Sequence, residues 1–215
     1  MYRNKILFLV CVLANVFFLS LKPEEEYFEG FITYNIYADG SVKESLIQSF
    51  RDAFGNKTIF YFKNGDYKQV YNGNLISIEY YNHVSNQRDM QYVVSDTFQE
   101  SDGSKDADSL LNSTHIKSVK EIAGYTCDEF IFNFKSGIHL QAFYNEEATK
   151  LNPEWFNNPK AGYLNIVYSR IKSIPLEMIV SKDNFDVYLF AERITRKTLT
   201  DDEVHLPKNA IVKNL

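Results

Sequence analysis

Cysteine is nearly missing from this chain: its 215 residues carry two, Cys11 and Cys127. Cys11 falls in an apolar N-terminal run. If that run is removed, one thiol remains and an intramolecular disulfide is impossible. The histidines nearest Cys127 in sequence, His115 and His139, stand at no metal-ligand spacing. A thiol nucleophile would need a histidine that only the fold could bring to it. A buried cysteine used as a small apolar side chain is the simpler reading.

Dense basic runs are absent too. The formal net charge is −5, and loss of Arg3 and Lys5 with a leader makes it more negative. Such a chain is a poor binder of phosphate backbones, so no nucleic-acid partner is expected. The chain has no G-x-S-x-G elbow, H-E-x-x-H, phosphate-binding glycine loop or C-x-x-C pair. His83, His115, His139 and His205 are scattered. Glu146 and Glu147 are adjacent, and neighbours on a strand point to opposite faces. Asp102, Asp106 and Asp108 lack the glycine and terminal glutamate of a calcium loop. The expectation is a protein that is not an enzyme, with no catalytic residues, no cofactor and no metal.

Aromatic residues are plentiful: 17 Phe and 15 Tyr against one Trp. Flat rings suit a half-buried pleated surface, so this surplus favours strands. The length suits one domain with a sizeable core.

At the N-terminus, Arg3 and Lys5 precede "ILFLVCVLANVFFLSL" (6–21), and "KPEEE" halts the run. Its sixteen residues are interrupted by Asn15. That is short of the roughly 20 that span a bilayer, so residues 1–21 read as an export signal. An uncleaved anchor is the alternative, and would be the only membrane attachment. Cleavage after "VLA" (12–14) or "FLS" (18–20) stays open, and Val10 before Cys11 argues against lipidation. Residues 22–215 then form a single domain, periplasmic or secreted.

Along that domain, "FEGFITYNIYADG" (28–40) alternates, with Phe28, Ile32, Tyr34, Ile36 and Ala38 on one face. "VKESLIQSFRDAF" (42–54) fits a helical stripe ended by Gly55-Asn56, although a strand is also compatible. Short strands follow at 57–63, 66–72, 75–81 and 89–95, with hairpin signals at Asn64-Gly65 and Asn72-Gly73. Residues 96–113 are polar and acidic and read as a mobile, solvated loop. In "YTCDEFIFNFK" (125–135), Phe130, Phe132 and Phe134 share a face, and "IHLQAFY" (138–144) alternates again. Residues 145–165 hold two prolines and the sole Trp, and read as a short helix or lid. "IPLEMIVSK" and "DVYLFAERITRKT" form a last hairpin across Asp183-Asn184. The expected fold is mainly β (α+β): a strongly curved antiparallel half-barrel sheet. One or two short helices or a loop would cover its concave face.

Several segments together resemble a known family. "FEGFITYNIYADG" is similar to the opening strand of the DUF4412 and GLPGLI-type exported proteins of Bacteroidetes, which share a fold with the lipoprotein carrier LolA. "KEIAGYTCDEFIFNF" resembles their I-x-G-Y-x-C strand, and "AFYNEEATKLNP" the strand end that runs into an asparagine-proline loop. "KSIPLEMIV" and "AERITRKTLTDDEVHLP" resemble their later strands. The likeness runs from about Phe28 to Pro207. Ser173-Ile174 replaces the usual glycine before Pro175, and His205 stands where the closing motif has Phe. The resemblance implies a concave apolar face, which in LolA-like proteins shelters acyl chains.

Two functions fit. The first is a carrier or binder of a lipid, a lipoprotein acyl chain or another apolar ligand. Its inner face would be Tyr34, Ile36, Phe60, Phe62, Phe132, Phe134, Leu140, Leu176 and Met178. The alternative is an envelope structural or protein-interaction module whose core fills itself. Trp155 and Phe156, beside Pro153 and Pro159, would then anchor an envelope protein, or else serve as a lid.

Overall fold

The computed structural model describes residues 26–105 and 108–214. The leader, Cys11 and Asp106 lie outside them. Among the described residues, twelve strands make one sheet: β1 (Gly30–Gly40), β2 (Lys57–Lys63), β3 (Asp66–Tyr71), β4 (Ile76–Asn82), β5 (Gln87–Tyr92), β6 (Thr97–Asp102), β7 (Leu110–Ile122), β8 (Tyr125–Phe134), β9 (His139–Tyr144), β10 (Glu177–Lys182), β11 (Phe185–Arg196) and β12 (Ile211–Asn214). The helices are α1 (Glu44–Phe54), α2 (Glu146–Thr149), α3 (Leu164–Ile171) and α4 (Asp201–Val204). The protein is mainly β, and the curved, unclosed sheet is a half-barrel.

The strand order is β12-β6-β5-β4-β3-β2-β1-β11-β10-β9-β8-β7. Two meanders are joined where β1 meets β11 in antiparallel register, Ile32 opposite Ile194 and Ile36 opposite Leu189. The hairpin turns follow from local chemistry. Between β2 and β3, Asn64 and Gly65 both take positive φ (49° and 91°), as a tight right-twisted hairpin requires. Asp183 and Asn184 do the same between β10 and β11 (51° and 62°).

Period-two alternation sends Ile32, Tyr34 and Ile36 of β1 to the inner face. Phe60 and Phe62 of β2, Phe132 and Phe134 of β8, and Leu140 of β9 join them in burial. Three pieces cover that face. Helix α1 sets Phe54 against Tyr71 (5.7 Å between ring centres) and Phe50 against Phe185 (5.9 Å). The 3₁₀ turn Pro153–Phe156 comes next, capped by Asn152 Oδ1, which accepts from Glu154 N at 3.0 Å. Helix α3 follows, burying Val167, Tyr168 and Ile171.

The segment 96–113 departs from expectation. It holds β6 and the start of β7. Its polar residues favour a loop locally, but ladder pairing with β5 overrides that preference. Phe98, nearly alone among them in bulk, is buried edge-on against Tyr80 at 5.8 Å. The sheet also carries one parallel pair, β12 on β6.

Candidate functional site

A cavity of about 110 Å³ opens between the inner face and α3. Tyr34, Phe60, Tyr67 and Gln69 line it from β1, β2 and β3, and Met178 and Leu189 from β10 and β11. Leu164, Val167 and Tyr168 of α3 roof it, with Ile174 and Pro175 at the side. These α3 residues recur with Ile171 at positions i, i+3, i+4 and i+7, so one apolar stripe faces the sheet. That periodicity is present in the sequence, and the helix runs on past residue 165, where the expected short helix or lid ends.

Of the nine expected inner-face residues, Tyr34, Phe60 and Met178 line the cavity. Phe62, Phe132, Phe134, Leu140 and Leu176 sit in the closed core, none more than 2% exposed. Ile36 is buried without reaching the cavity. Phe156 is wholly buried, edge-on to Tyr168 at 4.5 Å and stacked on Phe62 at 6.0 Å. Trp155 is partly buried over the β2–β3 turn, 5.1 Å from Tyr27 and 6.0 Å from Phe62. This placement makes the pair a plug on the sheet. A fully enclosed Phe156 cannot anchor a partner without leaving its site.

The cavity wall carries phenols. Tyr34 donates to the Pro175 carbonyl at 2.7 Å. Tyr67 donates to Glu79 Oε1 at 2.6 Å, and the same carboxylate takes both prongs of Arg88 at 3.2 and 3.1 Å. Burial raises the Tyr34 pKa, with a smaller contribution from Tyr168. Burial and then the Glu79 charge raise that of Tyr67. Both stay protonated donors at neutral pH.

Cys127 is fully buried in the core cluster. Burial pushes its thiol up to about 11, so the nucleophilic thiolate is scarce. The histidines are less scattered than their numbering suggests. Asp66, near the β2–β3 turn, accepts from the His83 backbone N–H at 2.8 Å. Its carboxylate also contacts His83 Nδ1 at 2.8 Å and His205 Nε2 at 2.7 Å. The carboxylate is mostly buried, and it ties the start of the C-terminal segment to two turns of the sheet. On β7 and β8, His115 Nε2 meets Asp128 Oδ2 at 2.9 Å. No sequence motif marks either pair, because topology alone brings the partners together.

Among the described residues, no cluster of three or more His, Cys, Asp or Glu side chains could hold a metal ion. Among them also, no helix is long and apolar enough to cross a membrane. No protein-family model and no curated protein sequence matches the chain.

Proposed function

We propose that this is an exported, non-enzymatic protein that binds one apolar ligand, such as a lipid tail, between α3 and the inner face of its sheet. The cavity carries this reading. It is lined chiefly by aromatic and aliphatic groups. Its size limits the occupant. Pockets that enclose whole drug-sized ligands span roughly 300–1,000 Å³. At about 110 Å³, this one takes a small ring or the end of a longer chain. The likeness to DUF4412 and GLPGLI-type proteins supports an envelope location and rests on the segments quoted above. The second reading is an envelope interaction module with a self-filled core, favoured by the closed packing of Phe62, Phe132, Phe134, Leu140 and Leu176.

Native mass spectrometry of protein purified from its own host without detergent separates the two. A bound mass that leaves on organic extraction, and that Met178→Trp abolishes by filling the cavity, is the expected result. A clean apo mass, with no rise in melting temperature on adding lipids, would refute the binder and leave the interaction module.

A further inference from the structure

This inference rests on the binding reading above. It concerns which apolar ligands the cavity accepts. Tyr168 is 6% exposed and lines the cavity, and its hydroxyl has no hydrogen-bond partner among the described residues. The side-chain amide of Gln69 lines the same cavity and is likewise unpartnered among the described residues. Gln69 is only partly buried and the cavity opens to solvent, so water can meet both groups in the free protein. A ligand that displaces that water must complement the Tyr168 hydroxyl or leave it unpaired in an apolar wall, which is costly. Tyr34 and Tyr67 send their hydroxyl protons to Pro175 and Glu79, and no hydrogen bond joins either hydroxyl to Tyr168 among the described residues.

Charge narrows the class further. Among the described residues, no Lys, Arg, His, Asp or Glu lines the cavity. A carboxylate or ammonium placed there would be buried without a counter-ion, which is strongly unfavourable. We infer that the cavity selects an uncharged ligand whose apolar body carries one oxygen acceptor, a carbonyl or hydroxyl, which receives the Tyr168 hydroxyl proton in a hydrogen bond beside Gln69. The volume suits a small ring. An engineered apolar cavity of about 150 Å³ holds benzene, and this one measures about 110 Å³ and opens to solvent on one side.

Three probes of matched shape test this: cyclopentanone, methylenecyclopentane and cyclopentanecarboxylate. Each is titrated into the purified protein while the Met178 methyl signal is followed by NMR. Cyclopentanone is expected to bind about three- to tenfold more tightly than methylenecyclopentane, the range one net neutral hydrogen bond supplies. The carboxylate is expected not to bind. Tyr168→Phe keeps the ring and its packing, so it should erase the preference while still binding methylenecyclopentane. Equal affinity for ketone and alkene in the unaltered protein would overturn the inference and leave apolar binding standing. So would a preference that survives Tyr168→Phe, or a carboxylate that binds as well as the ketone. If no probe moves the Met178 signal, the binding reading itself falls with the inference.

Discussion

Replacing Phe156 with Ala asks whether the irregular segment is part of the core or a detachable cover. The side chain has no exposure and touches three rings: Tyr168 at 4.5 Å, Phe62 at 6.0 Å and Tyr81 at 6.3 Å. Those rings come from α3, β2 and β4, so the change removes a junction between cover and sheet. Truncating a fully buried Phe to Ala typically costs about 3–5 kcal/mol, the lost transfer energy plus the cavity left behind. In a domain of this size each kcal/mol lowers the melting temperature by roughly 2–4 °C. The expected fall is therefore on the order of 6–20 °C, read by calorimetry as one cooperative transition. A fall of less than about 2 °C would refute the plug, because it would mean the sheet is stable without the segment above it. The new void lies beside Tyr168, so the variant should also admit larger apolar probes than the parent protein.

Gly65→Ala is expected to cost about 1–3 kcal/mol in urea melts, because φ there is 91° and an added Cβ would lie 2.8 Å from Trp155 Cβ and His83 Cγ; an unchanged midpoint would contradict the turn geometry. Cys127 should resist iodoacetamide in the native protein at neutral pH and react quickly in urea, since burial holds its thiol near 11; ready native labelling would disprove its enclosure. Glu203, held down to about 2 from 4.5 by Lys197 and then by the Thr200 backbone N–H, stabilises the fold above its unfolded value. That contribution is lost as the pH falls from about 4.5 toward 2, so Glu203→Gln should flatten the acid limb of the stability curve; an unaltered limb would remove Glu203 from the account.

The hairpins were legible because their signals are local. Asn64-Gly65 and Asp183-Asn184 fix positive φ within two residues, and alternation on either side fixes the faces. Residues 42–54, compatible with a helix or a strand, form helix α1 (Glu44–Phe54), with Gly55 at its C-terminal end. Other features depended on partners far away in sequence. β6 is mostly polar and exists through its neighbours, and four-residue β12 is too short to show a period. The cavity was half legible. The strand residues Tyr34, Phe60 and Met178 follow from alternation, whereas Leu164, Val167 and Tyr168 belong to a second, helical period that begins only after Pro153 and Pro159. Asp66 joins His83 and His205 across 17 and 139 positions, a spacing that carries no local signal.

The seam between β1 and β11 has a consequence for time as well as shape. The first described strand has its partner at the far end of the chain, Gly30 opposite Arg196. β2 through β6 can zip up by short hairpins as soon as they exist, and β1 joins β2 across the connection that holds α1. The inner half of the barrel cannot be completed until β11 arrives and the loop of more than a hundred residues closes. Folding of such topology is slow, since loop entropy is lost before distant contacts form. A chain made from its N-terminus onward would therefore wait, its aromatic face open to water, until nearly the whole of it had been synthesised.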